Sequence, residues 1–298
     1  VCGYFPKYFP DAILQLKRMG AKVMMRAELT DADRSRNFLK GLARDIVISA
    51  LYKKVDHFIS IGEHCRRHLK RMKVLDSRIS FGGYNVDNDL FEHQFVENVP
   101  RRNELRTELG VGQDEFVFLV CGKKIPKKNP LLVAQAFKQL NAANTQQKMR
   151  LIFLGDGELK EETLYASGNT AYGSVMVTGF INQGELGKYY AISDCAILPS
   201  SFGETWGLVV NEAQIFGLPV IVSDRVGCFL DLVTPETGRV FPSGDLDALV
   251  DAMQTTIPWV QNNRDTIVIA SRAKARNYTA QKAAKAIALA ALIVGKKK

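Results

Sequence analysis

Glu204 and Glu212 stand eight residues apart in the stretch Ser200-Ser201-Phe202-Gly203-Glu204-Thr205-Trp206-Gly207-Leu208-Val209-Val210-Asn211-Glu212-Ala213. Apolar runs flank it, Asp194–Pro199 before and Leu218–Asp224 after. A strand therefore breaks at Pro199, a polar loop follows, and a helix begins near Gly207 and stops at Gly217. The free N–H groups of Gly207, Leu208 and Val209 at that helix start suit a diphosphate. Carboxylates accept from hydroxyls, and eight residues of helix rise about 12 Å, roughly the reach from the ribose of a nucleotide sugar to its hexose. Two glutamates at this spacing also fit a solvated helix face. The flanking strands favour a site, because a loop-to-helix turn at the carboxyl end of a parallel strand is where open α/β sheets hold ligands.

A second group of chemically useful residues is Gly122-Lys123-Lys124-Ile125-Pro126-Lys127-Lys128-Asn129-Pro130, at the end of the apolar run Phe116–Cys121. Its lysines could be cations for phosphate or a solvated loop, and the spacing is not that of a Walker motif. Gly155-Asp156-Gly157 ends the next strand, where a tight turn is its simplest role, and Gly179-Phe180-Ile181 ends the third, where a packed loop aromatic is the plain reading. Three Asp-x-Asp triplets occur, Asp31/Asp33, Asp87/Asp89 and Asp245/Asp247. The first and third sit just ahead of helices, where carboxylates cap, and none follows a buried strand as a nucleotide-bound metal would require. The four histidines are scattered, and no metal site is expected.

The elements that must position these residues read as two α/β patterns. Residues 1–98 alternate helices (Asp11–Gly20, Arg36–Lys54, Glu63–Lys73) with three apolar strands (Lys22–Arg26, His57–Ile61, Arg78–Phe81). Residues 99–113 are charged and helical, as a connector would be. Residues 114–278 carry six strands, at Phe116, Leu151, Val175, Cys195, Val220 and Arg239, alternating with helices that include Leu246–Ile257. That rhythm implies parallel sheet with right-handed crossovers and a complete Rossmann-like domain. A last helix, within 279–298, closes the chain. The chain opens on Val1 in mid-pattern, so its first domain is expected to lack its leading strands and to expose an unpaired edge.

With 298 residues, 46% hydrophobic and 24% charged, the composition is that of a globular protein of two domains. The five cysteines form no CxxC pair; Cys121 and Cys195 fall in apolar strands, which favours a reducing, cytoplasmic setting. The net charge of +9 is spread, and the aromatic platform of a single-strand nucleic-acid binder is missing, so no nucleic-acid partner is expected. An anionic substrate explains the charge. Peripheral contact of Arg66–Lys73 with an anionic membrane explains it equally, as does a solvated helix face.

The run Asp194–Asp224 resembles the family-4 retaining glycosyltransferases of GT-B fold (glycosyl transferases group 1), whose hallmark is this Glu-x7-Glu block. The resemblance implies two Rossmann-like domains facing a cleft, the N-terminal one incomplete here, with the last helix returning to it. It implies metal-independent transfer of a hexose from a nucleoside-diphosphate sugar, a UDP- or GDP-sugar, to a hydroxyl of a saccharide or lipid-linked glycan, with no cofactor. Gly122-Lys123-x4-Lys128 looks like the family's Gly-Arg-x4-Lys signature, with Lys123 for the commoner arginine, so that Lys123 and Lys128 would take the diphosphate. By the same resemblance Glu204 binds donor-sugar hydroxyls without acting as a covalent nucleophile. The amides of Thr205, Trp206 and Gly207 lie beside the sugar, those of Leu208 and Val209 meet phosphate, and Glu212 meets ribose. Backbone groups around Phe180 and Ile181 face the base. Cys2, before Gly3, stands where the family has a histidine, and Arg26 and Glu28 face the acceptor. Two other readings use the same residues. A non-catalytic nucleotide-sugar-binding half would need its missing segment or a partner, and a GT-B sugar-nucleotide epimerase would turn over donor without acceptor.

Overall fold

The computed structural model describes residues 1–3, 8–29, 31, 38–143, 147–168 and 173–296. Asp33, the start of the expected Arg36 helix and the last two lysines lie outside them. The chain divides into two compact units, Val1–Asn85 with Asn277–Lys298, and Val86–Arg276.

The first unit runs α1 (Tyr8–Arg18), β1 (Met24–Ala27), α2 (Phe38–Tyr52), β2 (His57–Ser60), α3 (Glu63–Arg71) and β3 (Ile79–Phe81). The strands form a parallel sheet in sequence order, with Met24 opposite His57 and Phe58 opposite Ile79. Residues 1–3 extend it: Cys2 bridges Arg26 in parallel, with Arg26 N–H donating to Val1 O at 2.8 Å and Gly3 N–H to Arg26 O at 2.9 Å. Helix α3 buries Cys65, His68 and Leu69, spaced three and four apart, and turns Arg67 and Lys70 outward. Its cations are paired: Arg67 with Glu63, Arg66 and Lys70 with Asp76, and Arg71 with Asp31 and Asp45. Asp31, expected as a helix cap ahead of residues that lie outside those described, forms ion pairs. It takes two bonds from Arg71, at 2.6 and 2.9 Å, and one from buried His68 at 3.0 Å.

The second unit contains α4 (Asn88–Asn98), α5 (Arg102–Glu108), β4 (Phe116–Cys121), α6 (Pro130–Ala143), β5 (Met149–Leu154), α7 (Lys160–Ser167), β6 (Gly173–Val177), α8 (Leu186–Ile192), β7 (Cys195–Leu198), α9 (Leu208–Ile215), β8 (Val220–Ser223), α10 (Phe229–Leu232), β9 (Gly238–Phe241) and α11 (Leu246–Ala275). The six strands are parallel in the order β6-β5-β4-β7-β8-β9. The chain thus builds outward from β4 to one edge and then returns to build from β7 to the other. The crevice outside the carboxyl ends of β4 and β7 is the topological switch point. β4 reads Phe-Val-Phe-Leu-Val-Cys without alternation because helices cover both its faces. Phe118, Phe137, Leu151, Ile197, Ile221, Phe241 and Met253 form the core on one of them.

The segment 99–113 is tied into this unit by its arginines. Buried Arg106 donates to the carbonyls of Ile192, Gly112, Gln113 and Glu115 and to Asp194 at 2.8 Å. Asp194 also takes Arg102 at 2.7 Å, Arg264, and the N–H of Val117. Helix α11 runs eighteen residues past the expected Ile257. Pro258 sits inside it and Asn263 leaves helical geometry (φ −133°, ψ 22°), yet Val260, Ile267, Ser271 and Ala275 keep a buried face that carries the helix on. Asp245 caps α11 through the N–H of Ala248, and Asp87 caps α4 through that of Leu90. The last helix, α12 (Ala280–Lys296), packs on β2 and β3 of the first unit. Among the described residues no helix is long and apolar enough to cross a membrane.

Candidate functional site

The switch point gathers three loops. After β4, the backbone turns at Gly122 (φ +146°), and Pro126–Lys128 form a 3-10 turn closed by Asn129 in the left-handed region (φ 48°). After β7, Ser201 N–H donates to Lys127 O at 2.9 Å, tying the two loops together. That tie brings Lys128 onto Glu204, which forms an ion pair with it, while Ser200 Oγ donates to the same carboxylate oxygen at 3.0 Å. Glu204 is 9% exposed and its carboxylate is held by two donors, so its orientation is fixed before any ligand arrives.

Residues 204–207 are irregular, with a bend at Thr205 and Trp206, and the helix starts at Leu208. The third loop enforces this: Gly227 N–H donates to Glu204 O and Cys228 N–H to Trp206 O, each at 2.9 Å. A Cβ on Gly227 would collide with the carbonyl of Thr205. Gly207 (φ +106°) makes the turn into α9, where a Cβ would lie 2.7 Å from Leu198 and 2.9 Å from Val226. The amides of Leu208 and Val209 therefore open the helix with no carbonyl one turn behind them, a geometry that attracts an anion. The indole of Trp206 is buried and donates to Asn211 Oδ1 at 2.8 Å, so the side chain packs and only the backbone is offered.

Glu212 lies half-buried on α9 and accepts from the hydroxyl of Tyr190 at 2.6 Å. Tyr190 is fully buried, stacked on Phe216 at 5.3 Å. Burial pushes the Glu212 carboxyl up from its ordinary value, against the Tyr190 hydrogen bond and the Lys128 charge. Burial likewise pushes the neighbouring Cys121 thiol up to about 12, so it is a neutral wall of the site.

The other expected residues fall as follows. Lys123 is exposed on the β4 loop. Phe180 is 76% exposed and Ile181 half-buried, after β6. In the first unit, Cys2 is exposed beside Arg26, whose guanidinium lies 4.8 Å from the ring centre of Tyr84 and 3.8 Å from Glu28. Tyr84 O–H donates to Glu28 at 3.3 Å. Gly3 has φ +74° with open space where a Cβ would be. Sequence reasoning missed Tyr190, Ser200 and Tyr84. No local spacing announces the two tyrosines: Tyr190 and Glu212 are 22 residues apart, and Tyr84 and Glu28 are 56 apart, whereas Ser200 lies four residues before its partner Glu204. A buried tyrosine does need a hydroxyl partner, which is the signal that could have been used. Among the described residues no group of three or more His, Cys, Asp or Glu side chains is placed to hold a metal ion.

Residues 101–273, more than half of the chain, match the family described as glycosyl transferases group 1. The chain belongs to that family. It is 30% identical over 200 residues to sulfoquinovosyl transferase SQD2 of Arabidopsis thaliana, covering 65% of this chain and 36% of that protein. It is 30% identical over 170 residues to the Escherichia coli UDP-Gal:alpha-D-GlcNAc-diphosphoundecaprenol alpha-1,3-galactosyltransferase, covering 56% and 43%. The match thus takes in well under half the length of either relative. Among solved structures, HepE from Anabaena, in complex with UDP, superposes with a TM-score of 0.74 at 17% identity, covering 96% of this chain and 76% of that one. Sucrose-phosphate synthase from Thermosynechococcus elongatus gives 0.74 at 19%, covering 96% and 71%. The α/β architecture of this group 1 chain is that of the GT-B glycosyltransferases.

Proposed function

We propose that the Val86–Arg276 unit binds a nucleoside-diphosphate sugar, a UDP- or GDP-sugar, and that the protein transfers the hexose to a hydroxyl of a glycan or lipid-linked acceptor, with retention and without a metal. The observation that carries the reading is the convergence of the Lys128–Glu204 pair, the amino end of α9 and Glu212 at one switch point. A diphosphate laid at Leu208 and Val209 gains two amides and the adjacent Lys128 ammonium, with Lys123 free to swing in from the surface. Glu212 has a half-buried carboxylate with one neutral donor, and a ribose diol supplies two more. Glu204 points its fixed carboxylate at sugar hydroxyls on the other side of the phosphates. Its pairing with Lys128 and Ser200 makes it an orienting group and a poor nucleophile.

In the transfer, the bond from the anomeric carbon to the diphosphate oxygen breaks and a bond to the acceptor oxygen forms. The acceptor proton leaves with the nucleoside diphosphate. Charge grows on the departing oxygen, where Lys128, Lys123 and the helix amides stabilise it, as a metal does elsewhere. Phe180 and Ile181 supply the base edge, and Arg26 and Glu28, with Cys2 and Gly3 beside them, serve the acceptor in the first unit. The family relationship and the UDP bound to HepE support the donor class.

Calorimetric titration with UDP, GDP and ADP tests the reading. One nucleotide is expected to bind selectively, and Lys128→Ala to weaken it about tenfold or more, the loss of one charge-assisted hydrogen bond. Folded protein that binds none of the three would overturn it. Turnover of donor in the absence of acceptor would point to an epimerase instead.

A further inference from the structure

Lys124 sits between the two lysines that the nucleotide reading uses, and it behaves unlike either. It is 1% exposed, and its ammonium donates to the carbonyl of Gly155, in the loop after β5. Its backbone is tied to the same loop at both polar atoms: Lys124 N–H donates to Asp156 O at 2.9 Å and Leu159 N–H to Lys124 O at 3.0 Å. Among the described residues it has no carboxylate within ion-pair distance, and Asp156, the acid that influences it, is exposed. Burial of the ammonium pushes its pKa down; Asp156 and Cys121 oppose this, and Lys160 adds to it.

A buried ammonium resting on one carbonyl is costly, and a leucine or methionine would fill the same space without that cost. The acceptor it chooses gives the reason. Gly155 accepts from Lys124 at its oxygen and donates through its N–H to Gly179 O at 2.8 Å, at the start of the loop that carries Phe180 and Ile181. Gly155 (φ +106°) and Gly157 (φ +157°) lie so close to the β4 loop that Cβ atoms there would strike the carbonyls of Gly122 and Lys124. The Lys124 side chain and the Gly155 amide therefore join three strand-end loops in series.

We propose that Lys124 is a positioning residue that locks the loop of Lys123 and Lys128 to the loop of Phe180 and Ile181 through Gly155, and so sets the distance between the phosphate and base ends of the nucleotide site. The proposal rests on the nucleotide reading above. At 1% exposure Lys124 itself touches no ligand in this arrangement; it acts through the backbone it holds.

The test uses Lys124→Met, which keeps volume and removes the donor, and Lys124→Arg, which keeps a donor. Amide hydrogen exchange of the full chain is followed together with calorimetry against UDP, GDP and ADP. Lys124→Met is expected to speed exchange at the Gly155 and Leu159 amides at least tenfold, leaving Ile152 and Phe153 inside β5 as they were. It should also weaken the bound nucleotide about tenfold, with Lys124→Arg recovering much of both. Unchanged exchange at Gly155, or a uniform rise across β5, would overturn the tie. Faster exchange with unchanged nucleotide affinity would overturn its role in the site. If Lys128→Ala and Glu212→Ala also leave nucleotide affinity untouched, it is the nucleotide reading that fails, and the exchange result still decides the tie.

Discussion

Replacing Glu212 by glutamine separates a ribose-binding carboxylate from one that merely packs. The side chain is half-buried, accepts from the Tyr190 hydroxyl at 2.6 Å, and has its pKa raised by burial from an ordinary value of 4.5. Hydrogen bonds from ribose hydroxyls to a charged acceptor are worth about 1.5–3 kcal/mol each, and neutral ones about half that. Two such bonds weakened by loss of charge give a deficit of roughly 1.5–3 kcal/mol, or about 10- to 150-fold in affinity at pH 8. Ligand hydroxyls favour the ionised carboxylate, so wild-type affinity should fall as pH drops through the raised Glu212 pKa, and Glu212→Gln should lack that contribution. The nucleotide's own titration appears in both profiles and cancels in their difference. Stability moves the other way. Because the native state holds the Glu212 proton more tightly than the unfolded chain, this residue's contribution to stability declines as pH rises from about 4.5 through the raised value. Glutamine removes that decline, so the free variant should unfold at equal or higher urea concentration than wild type at pH 8. Calorimetry across pH, paired with urea titration, reads both. Affinity within twofold of wild type at pH 8, or a loss of affinity explained by a lower unfolding midpoint, would refute the reasoning.

Gly227→Ala should lower the urea midpoint by an amount equivalent to about 1–3 kcal/mol and weaken nucleotide binding with it, because the added Cβ meets the Thr205 backbone and no rotamer relieves it. Arg106→Ala should cost about 3–5 kcal/mol in the same measurement, since it strips a buried charge partner from Asp194 and leaves the carbonyl of Ile192 without its two guanidinium donors. On the acid side, burial acts to raise Asp31 and Asp56, but His68 and Arg71 for the one, and Lys17 and the Val23 N–H for the other, more than offset it and hold both below 3.8. Their stabilisation is complete above 3.8 and is lost as pH falls below it, so Asp56→Asn should have a lower urea midpoint than the wild type at pH 7, and the gap between the two should narrow as pH drops below 4; an equal gap at both pH values would refute this.

Much of the second unit was legible because its signals are local. A strand buried on both faces must be apolar throughout, as Phe116–Cys121 is, and a helix that starts at a ligand needs a residue able to turn sharply, as Gly207 does. The six strands and their helices follow from such runs. Helix α11 reads from sequence only to Ile257, and Pro258, which lacks a backbone donor, is a local cost at that point. What carries the helix on is the burial of Val260, Ile267 and Ala275, which only the assembled unit supplies. The same limit explains Asp31. Its ion pair with Arg71, forty residues on, exists only in the assembled unit.

The site divides along the same line. The Glu204–Glu212 block and the Gly122–Lys128 loop could be found because backbone geometry dictates their types and spacing. Which charge meets which could not, and that decides what each group is able to do. Of the lysines in the β4 loop and its turn, Lys123 is exposed, Lys124 is sealed against Gly155, and Lys128 is paired with Glu204. Nothing in the run of lysines distinguishes them. Helix α3 makes the argument in reverse: Arg66, Arg67, Lys70 and Arg71 read as a strongly basic patch, but each has a carboxylate at 3.2 Å or less, three of which lie outside the helix. The field such a patch presents is set by those remote acids, so a charge run measures composition, and only the fold converts it into potential.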